Sequence, residues 1–155
     1  MKKLILVALV AITSVMGLRA AEGDMAAGLQ FNYASKNSMI GLGVVYQIEP
    51  VRNFRIAPEF IYYFENNNLS DYNVNINFHY LIPTSTNVNI YPLAGFSYVN
   101  FNNSFGGHTN RYGANVGLGF EYTINNRFKF YTEERFHIIK HWNESVTSLG
   151  LKYSF

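Results

Sequence analysis

The chain has 155 residues, 17% of them aromatic, no cysteine and a formal net charge of +2. That length fits one domain, the missing cysteines exclude a disulfide framework, and the charge is too small for a nucleic-acid-binding face. The aromatics are 12 Tyr and 13 Phe against a single Trp, which is heavy for a soluble domain.

The first element is a leader. Met1-Lys2-Lys3 precedes an apolar run over 4–16, followed by Gly17-Leu18-Arg19-Ala20. A positive head, a short apolar core and a small last residue read as a cleaved signal peptide over 1–20, cut after Ala20. The run is short for a transmembrane helix, which needs about 17–25 apolar residues. Its removal takes away Lys2, Lys3 and Arg19, leaving nine Lys and Arg against ten Asp and Glu. The mature chain, 21–155, reads as a single domain without a basic surplus.

Eight strands follow, each marked by a period of two, because successive side chains leave a strand on opposite faces. The first spans 25–34, with Leu29, Phe31 and Tyr33 against Gly28, Gln30 and Asn32. The second spans 39–48 and the third 54–64. The fourth, over 71–83, is the clearest: Tyr72, Val74, Ile76, Phe78, Tyr80 and Ile82 alternate with Asn73, Asn75, Asn77 and His79. It is long enough to cross a bilayer as a tilted strand, which needs roughly 9–11 residues. The fifth spans 88–101, the sixth 112–124, the seventh 128–139 and the eighth 146–155. Pro58 and Pro92 interrupt the third and fifth, and central strands tolerate proline mainly at bulges.

The connections are short, so neighbouring strands are antiparallel; a parallel crossover needs a dozen residues or more. Eight such strands predict an all-β, up-and-down transmembrane barrel. Four connections, 35–38, 65–70, 102–111 and 140–145, would face outward. Three, 49–53, 83–87 and 125–127, would be periplasmic turns. The longest, 102–111, is the candidate contact loop, with Phe105, His108 and Arg111.

Alternation alone does not say which face is outside, and a soluble barrel would bury the apolar one. Two features favour the inverse. Glycine crowds the polar face, at Gly28, Gly41, Gly43, Gly95, Gly113, Gly117, Gly119 and Gly150. Eight strands leave a lumen only wide enough to be filled by side chains, so small residues must sit opposite large ones. Aromatics on the apolar face cluster near strand ends, among them Tyr33, Tyr46, Tyr80, Tyr112, Tyr122 and Phe128, as in the interfacial girdles of membrane barrels.

At the last strand Leu149, Leu151, Tyr153 and terminal Phe155 alternate up to an aromatic end. This resembles the C-terminal assembly signal of Gram-negative outer-membrane barrels. With the leader and the eight strands, the chain resembles the small OmpX-like and opacity-protein-like porin family. Tyr91-Pro92-Leu93-Ala94-Gly95-Phe96 and Gly117-Leu118-Gly119-Phe120-Glu121-Tyr122 look like its middle strands. The short connections depart from the long protruding strands of OmpX-like members. The resemblance implies residence in the bacterial outer membrane, contact with its lipid and recognition of the last strand by the barrel-assembly machinery. The chain is expected to act as a monomer.

The polar face carries Arg55, Glu59, Glu121, Lys129, Glu133, Arg135 and Lys152. Charges in a nearly dry lumen must pair or cost several kcal/mol each (~3–5). Neutralisation of Glu59, Glu121 and Glu133 by Arg55, Lys129 and Arg135 is the expected arrangement. Glu134 breaks the pattern, because by alternation it shares the apolar face with Phe130, Phe136 and Ile138. A bulge, protonation or a contact with another protomer would each account for it. His79 and His137 fall on the lumen face, His108 and His141 in or beside connections. No zinc spacing, dinucleotide loop or other cofactor motif is present, and the His-x-Ser of lipid A deacylases is missing. The reading is a non-catalytic envelope or surface-contact barrel with a filled polar interior and no external partner identified. A narrow channel for small solutes is the alternative, and a lipid-modifying enzyme comes third.

Overall fold

Side chains of the clearest strand separate by parity: Asn73, Asn75, Asn77 and His79 are buried, whereas Val74, Ile76 and Tyr80 are exposed. The same separation runs through the whole wall of this computed structural model, which describes residues 24–36, 38–66, 69–103, 108–140 and 143–155. The predicted leader lies outside the described residues. The strands are β1 (Met25–Ala34), β2 (Met39–Val51), β3 (Phe54–Asn66), β4 (Leu69–Tyr80), β5 (Ile82–Ser85), β6 (Val88–Asn103), β7 (His108–Thr123), β8 (Phe128–Ile139) and β9 (Glu144–Ser154).

All pairings are antiparallel between neighbours, and β1 also pairs with β9, from Ala26 opposite Ser154 to Ala34 opposite Val146. That contact closes the sheet. β4 and β5 both pair with β6 and form one wall strand, so the barrel has eight walls. The split falls between His79 opposite Leu93 and Ile82 opposite Ile90. Pro92 sits in that interval and has no N–H to donate. Neither proline lies at a register slip, contrary to the bulges its strand position suggests. Pro58 stays opposite Ile76, and Pro92 opposite Leu118.

Two predicted connections are shorter than their composition implies. β3 runs to Asn66 and β4 starts at Leu69, with Asn66 opposite Leu69. β6 and β7 are 16 residues each, so most of the predicted loop over 102–111 is ladder: Arg111 faces Val99 and Asn110 faces Asn100. The Asn100 amide donates to the Asn110 side-chain carbonyl. The Asn triplet at 66–68 and the Gly106-Gly107 pair read as loop signals, whereas the ladder pairing extends both hairpins past their predicted strand ends. The predicted turn over 83–87 likewise shortens, since β5 pairs through Ser85 with Val88.

The exterior is apolar to a degree no water-facing sheet would carry. Leu29 is 70% exposed, Phe31 65%, Phe96 69% and Leu118 62%, and contiguous apolar surface of this extent marks a lipid or protein contact. The girdle aromatics Tyr33, Tyr80, Tyr112, Tyr122 and Phe128 all point outward. Inside, small clusters of buried apolar residues lie toward the two ends of the barrel. Ala34, Met39, Ile61, Tyr63 and Val146 pack near the 35–38 hairpin. Leu81, Tyr91 and Leu93 pack toward the opposite end. Between them the interior is mostly polar, with one small apolar cluster of Val45, Ala57 and Tyr131.

Candidate functional site: the interior ion-pair network

Inward positions on separate strands converge because the lumen of eight strands is narrow. Glu121 of β7 is the first centre. Arg55 of β3 donates to its two carboxylate oxygens at 2.9 and 3.1 Å, a bidentate, charge-assisted geometry. Lys152 of β9 donates to Oε2, the oxygen that also accepts from Arg55 Nη1, at 2.5 Å. Lys129 lies farther off at 3.9 Å, and Asn89 donates at 3.4 Å. One carboxylate therefore serves three cations.

Glu59 of β3 is the second centre. It accepts from Arg135 of β8, from Asn75 at 2.8 Å and from Gln30 at 3.0 Å. Arg135 also donates to Ser148 at 2.6 Å and to Asn32 at 3.3 Å. The two centres are bridged. Tyr91 donates to Glu133 at 2.8 Å, Arg135 lies 3.8 Å from the same carboxylate, and Tyr131 donates to Gln30 at 2.5 Å. Lys152 sits 4.1 Å over the Tyr131 ring, a cation–π contact. His79 stacks on Tyr91 with ring centroids 4.7 Å apart.

The two rings fill the lumen only because glycines face them. Tyr91 is opposite Gly119 and Tyr131 opposite Gly150. A Cβ at either glycine would run into the facing ring, so the space of the missing side chain is taken by the aromatic.

All seven charged residues read from the sequence face this interior. Arg55, Glu59, Glu121, Glu133, Arg135 and Lys152 are buried, and Lys129 is at the margin. Lys152, read as a lumen charge but not among the three cations expected to neutralise the carboxylates, is the principal second cation on Glu121. The neutral members, Gln30, Asn32, Asn75, Tyr91, Tyr131 and Ser148, went unrecognised as network residues. Their inward parity was the available signal. His79 and His137 lie inside; His141 and Phe105 lie outside the described residues. His108 begins β7. Arg111 donates to the Lys140 carbonyl at 3.2 Å and lies 5.7 Å over Phe101. Among the described residues no three His, Asp or Glu side chains form a metal-ligand set.

A closed eight-stranded barrel with an apolar exterior and a charged, hydrogen-bonded interior is the fold of transmembrane β-barrels. Particular solved structures share it. The N-terminal β-barrel domain of Pseudomonas aeruginosa OprF is 16% identical over 86% of this chain and 100% of that domain, with a TM-score of 0.71. Neisserial surface protein A is 15% identical over 86% of this chain and 97% of its own, with a TM-score of 0.69. Ail, the attachment invasion locus protein of Yersinia pestis, is 14% identical with a TM-score of 0.60, over 86% of this chain and 97% of its own. No family model and no curated protein matches the chain.

Proposed function

We propose that the chain is a non-catalytic barrel of the bacterial outer membrane, exported by its leader, which serves envelope structure or surface contact through its hairpins. The observation that carries this reading is the side-chain plug. Arg55, Glu121 and Lys152 at one level and Arg135 and Glu59 at another span the lumen from opposing strands, almost fully buried. Such an interior stiffens the wall and blocks passage of solutes. Leu149, Leu151, Tyr153 and Phe155 present an aromatic-ended outer row that the assembly machinery would read. Contact with other molecules would fall to the β6–β7 hairpin, whose strands are the longest.

A narrow channel is the second reading. It draws on buried polar atoms that have no hydrogen-bond partner among the described residues, on Gln47, Asn73 and His79, groups that water would satisfy. Conductance of the purified barrel in planar bilayers separates the two. The plug predicts no resolvable steps at moderate salt and voltage; discrete steps with ion selectivity would make the channel the function.

A further inference from the structure

Glu134 is the charged side chain that points outward from the strands among the described residues. Its place is not an artefact of a bulge, since β8 pairs with β7 and β9 without a register shift. It is opposite Thr147, with Ser145 one pleat further along β9. Thr147 Oγ1 donates to Oε2 at 2.6 Å, and Ser145 Oγ donates to Oε1. Two hydroxyls thus hold the carboxylate on the outer face. A carboxylate oxygen has about two acceptor sites, so each oxygen can take one further donor from outside.

Beside this polar spot runs an outer groove of about 580 Å³, lined by Leu29, Phe31, Leu42, Val44, Leu149 and Leu151 among others. The two features are neighbours on the outer face. Leu149 is the next outward residue after Thr147 on β9, and their partners on β1 are Phe31 and Tyr33. An apolar trough therefore lies one outward position along β9 from the residue that holds a carboxylate with acceptor capacity to spare. Its volume falls in the range of small-molecule clefts, roughly 300–1,000 Å³.

We propose that this is a lipid site: an acyl chain lies in the groove, and a primary ammonium of the same lipid donates to Glu134. Trough and acceptor together match one amphipathic molecule, which neither does alone. The negative charge selects a cationic group, and the free acceptor sites select one that carries N–H. A second copy of the chain answers the charge poorly, because its strand exteriors offer no cation among the described residues. Ser145 and Thr147 hold Glu134 in place so that it meets the head group instead of turning away from the wall. The inference rests on the membrane reading above.

The test uses the folded full barrel in detergent, equilibrated with an equimolar mixture of dioleoyl phosphatidylethanolamine and dioleoyl phosphatidylcholine, and read by native mass spectrometry. The chains are identical, and only the first head group has N–H donors. The wild type is expected to retain the ethanolamine lipid over the choline lipid by about tenfold, the size of one charge-assisted hydrogen bond. Glu134→Leu abolishes the preference, and Leu149→Trp reduces retention of both lipids by filling the groove. Equal retention by the wild type, or a preference that survives in Glu134→Leu, overturns the site. Insertion into pure phosphatidylcholine vesicles, followed by the gel shift on boiling, is scored separately. Its failure would strike the membrane reading, not the lipid preference.

Discussion

Arg55 and Glu121 are 66 positions apart in the chain, yet the guanidinium of one grips the carboxylate of the other with two hydrogen bonds across the lumen. The pair joins β3 to β7, strands that share no ladder. Backbone pairing alone binds each strand to its two neighbours. This ion pair, with Lys152 completing it, ties one side of the barrel wall to the other.

Glu121→Gln tests how much that tie holds. The substitution keeps the shape and leaves Arg55 and Lys152 buried around a neutral amide. Removing one partner of a buried pair typically costs about 3–5 kcal/mol, and Glu49, the other carboxylate near Arg55, is too distant at 3.9 Å to compensate. Urea unfolding in lipid vesicles should show a loss of that order. Unchanged stability would mean that the network is not the main support of the interior.

The ring-over-glycine pairs make a sharper steric prediction. Gly119→Ala puts a methyl into the ring of Tyr91, which is pinned by its bond to Glu133 and its stack on His79. Overpacking of this kind costs about 1–3 kcal/mol. Tyr91→Phe in the same background should recover little, because the clash is with ring carbons. The readout is the unfolding midpoint of the single and double variants.

Glu59 and Arg135 close the lumen at their level, so truncating both together should open it. The double variant Glu59→Ala/Arg135→Ala leaves no buried unpaired charge from this pair, and the barrel should still fold. Planar-bilayer recordings are expected to show conductance steps that the wild type lacks. A silent double variant would mean that Tyr91 and Tyr131 seal the lumen without the ions.

The last strand allows assembly to be separated from stability. Phe155 points outward and touches Tyr153 and Tyr46, with centroids 5.8 and 6.5 Å away. Phe155→Ala should leave refolding into vesicles nearly unchanged, while its abundance in outer membranes falls severalfold. Equal losses in both assays would make the ring a packing residue and not part of an assembly signal.

Much of this was legible from alternation. β1 and β8 have the bounds their periodicity predicts, because a period of two with one apolar face leaves no freedom of register. The inversion was legible too, from glycines at Gly119 and Gly150 that a solvated face would not need. What escaped was non-local. Pairing Lys152 with Glu121 depends on the stagger of β9 against β7, which single-strand patterns do not encode. The extended β6–β7 hairpin was missed because polar residues such as Asn110 read as loop formers, while across the ladder Asn110 accepts from Asn100 of the strand already predicted. Glu134 was visible as an exception, but its hydroxyl partners come from β9, and only the register reveals them.

The most direct test of the account is a gel of purified outer membranes, run with boiled and unboiled samples in detergent. The account predicts that the protein is in that fraction and runs faster before boiling, as a closed barrel that detergent does not open. A protein recovered from the soluble periplasm, with one mobility under both conditions, would contradict it.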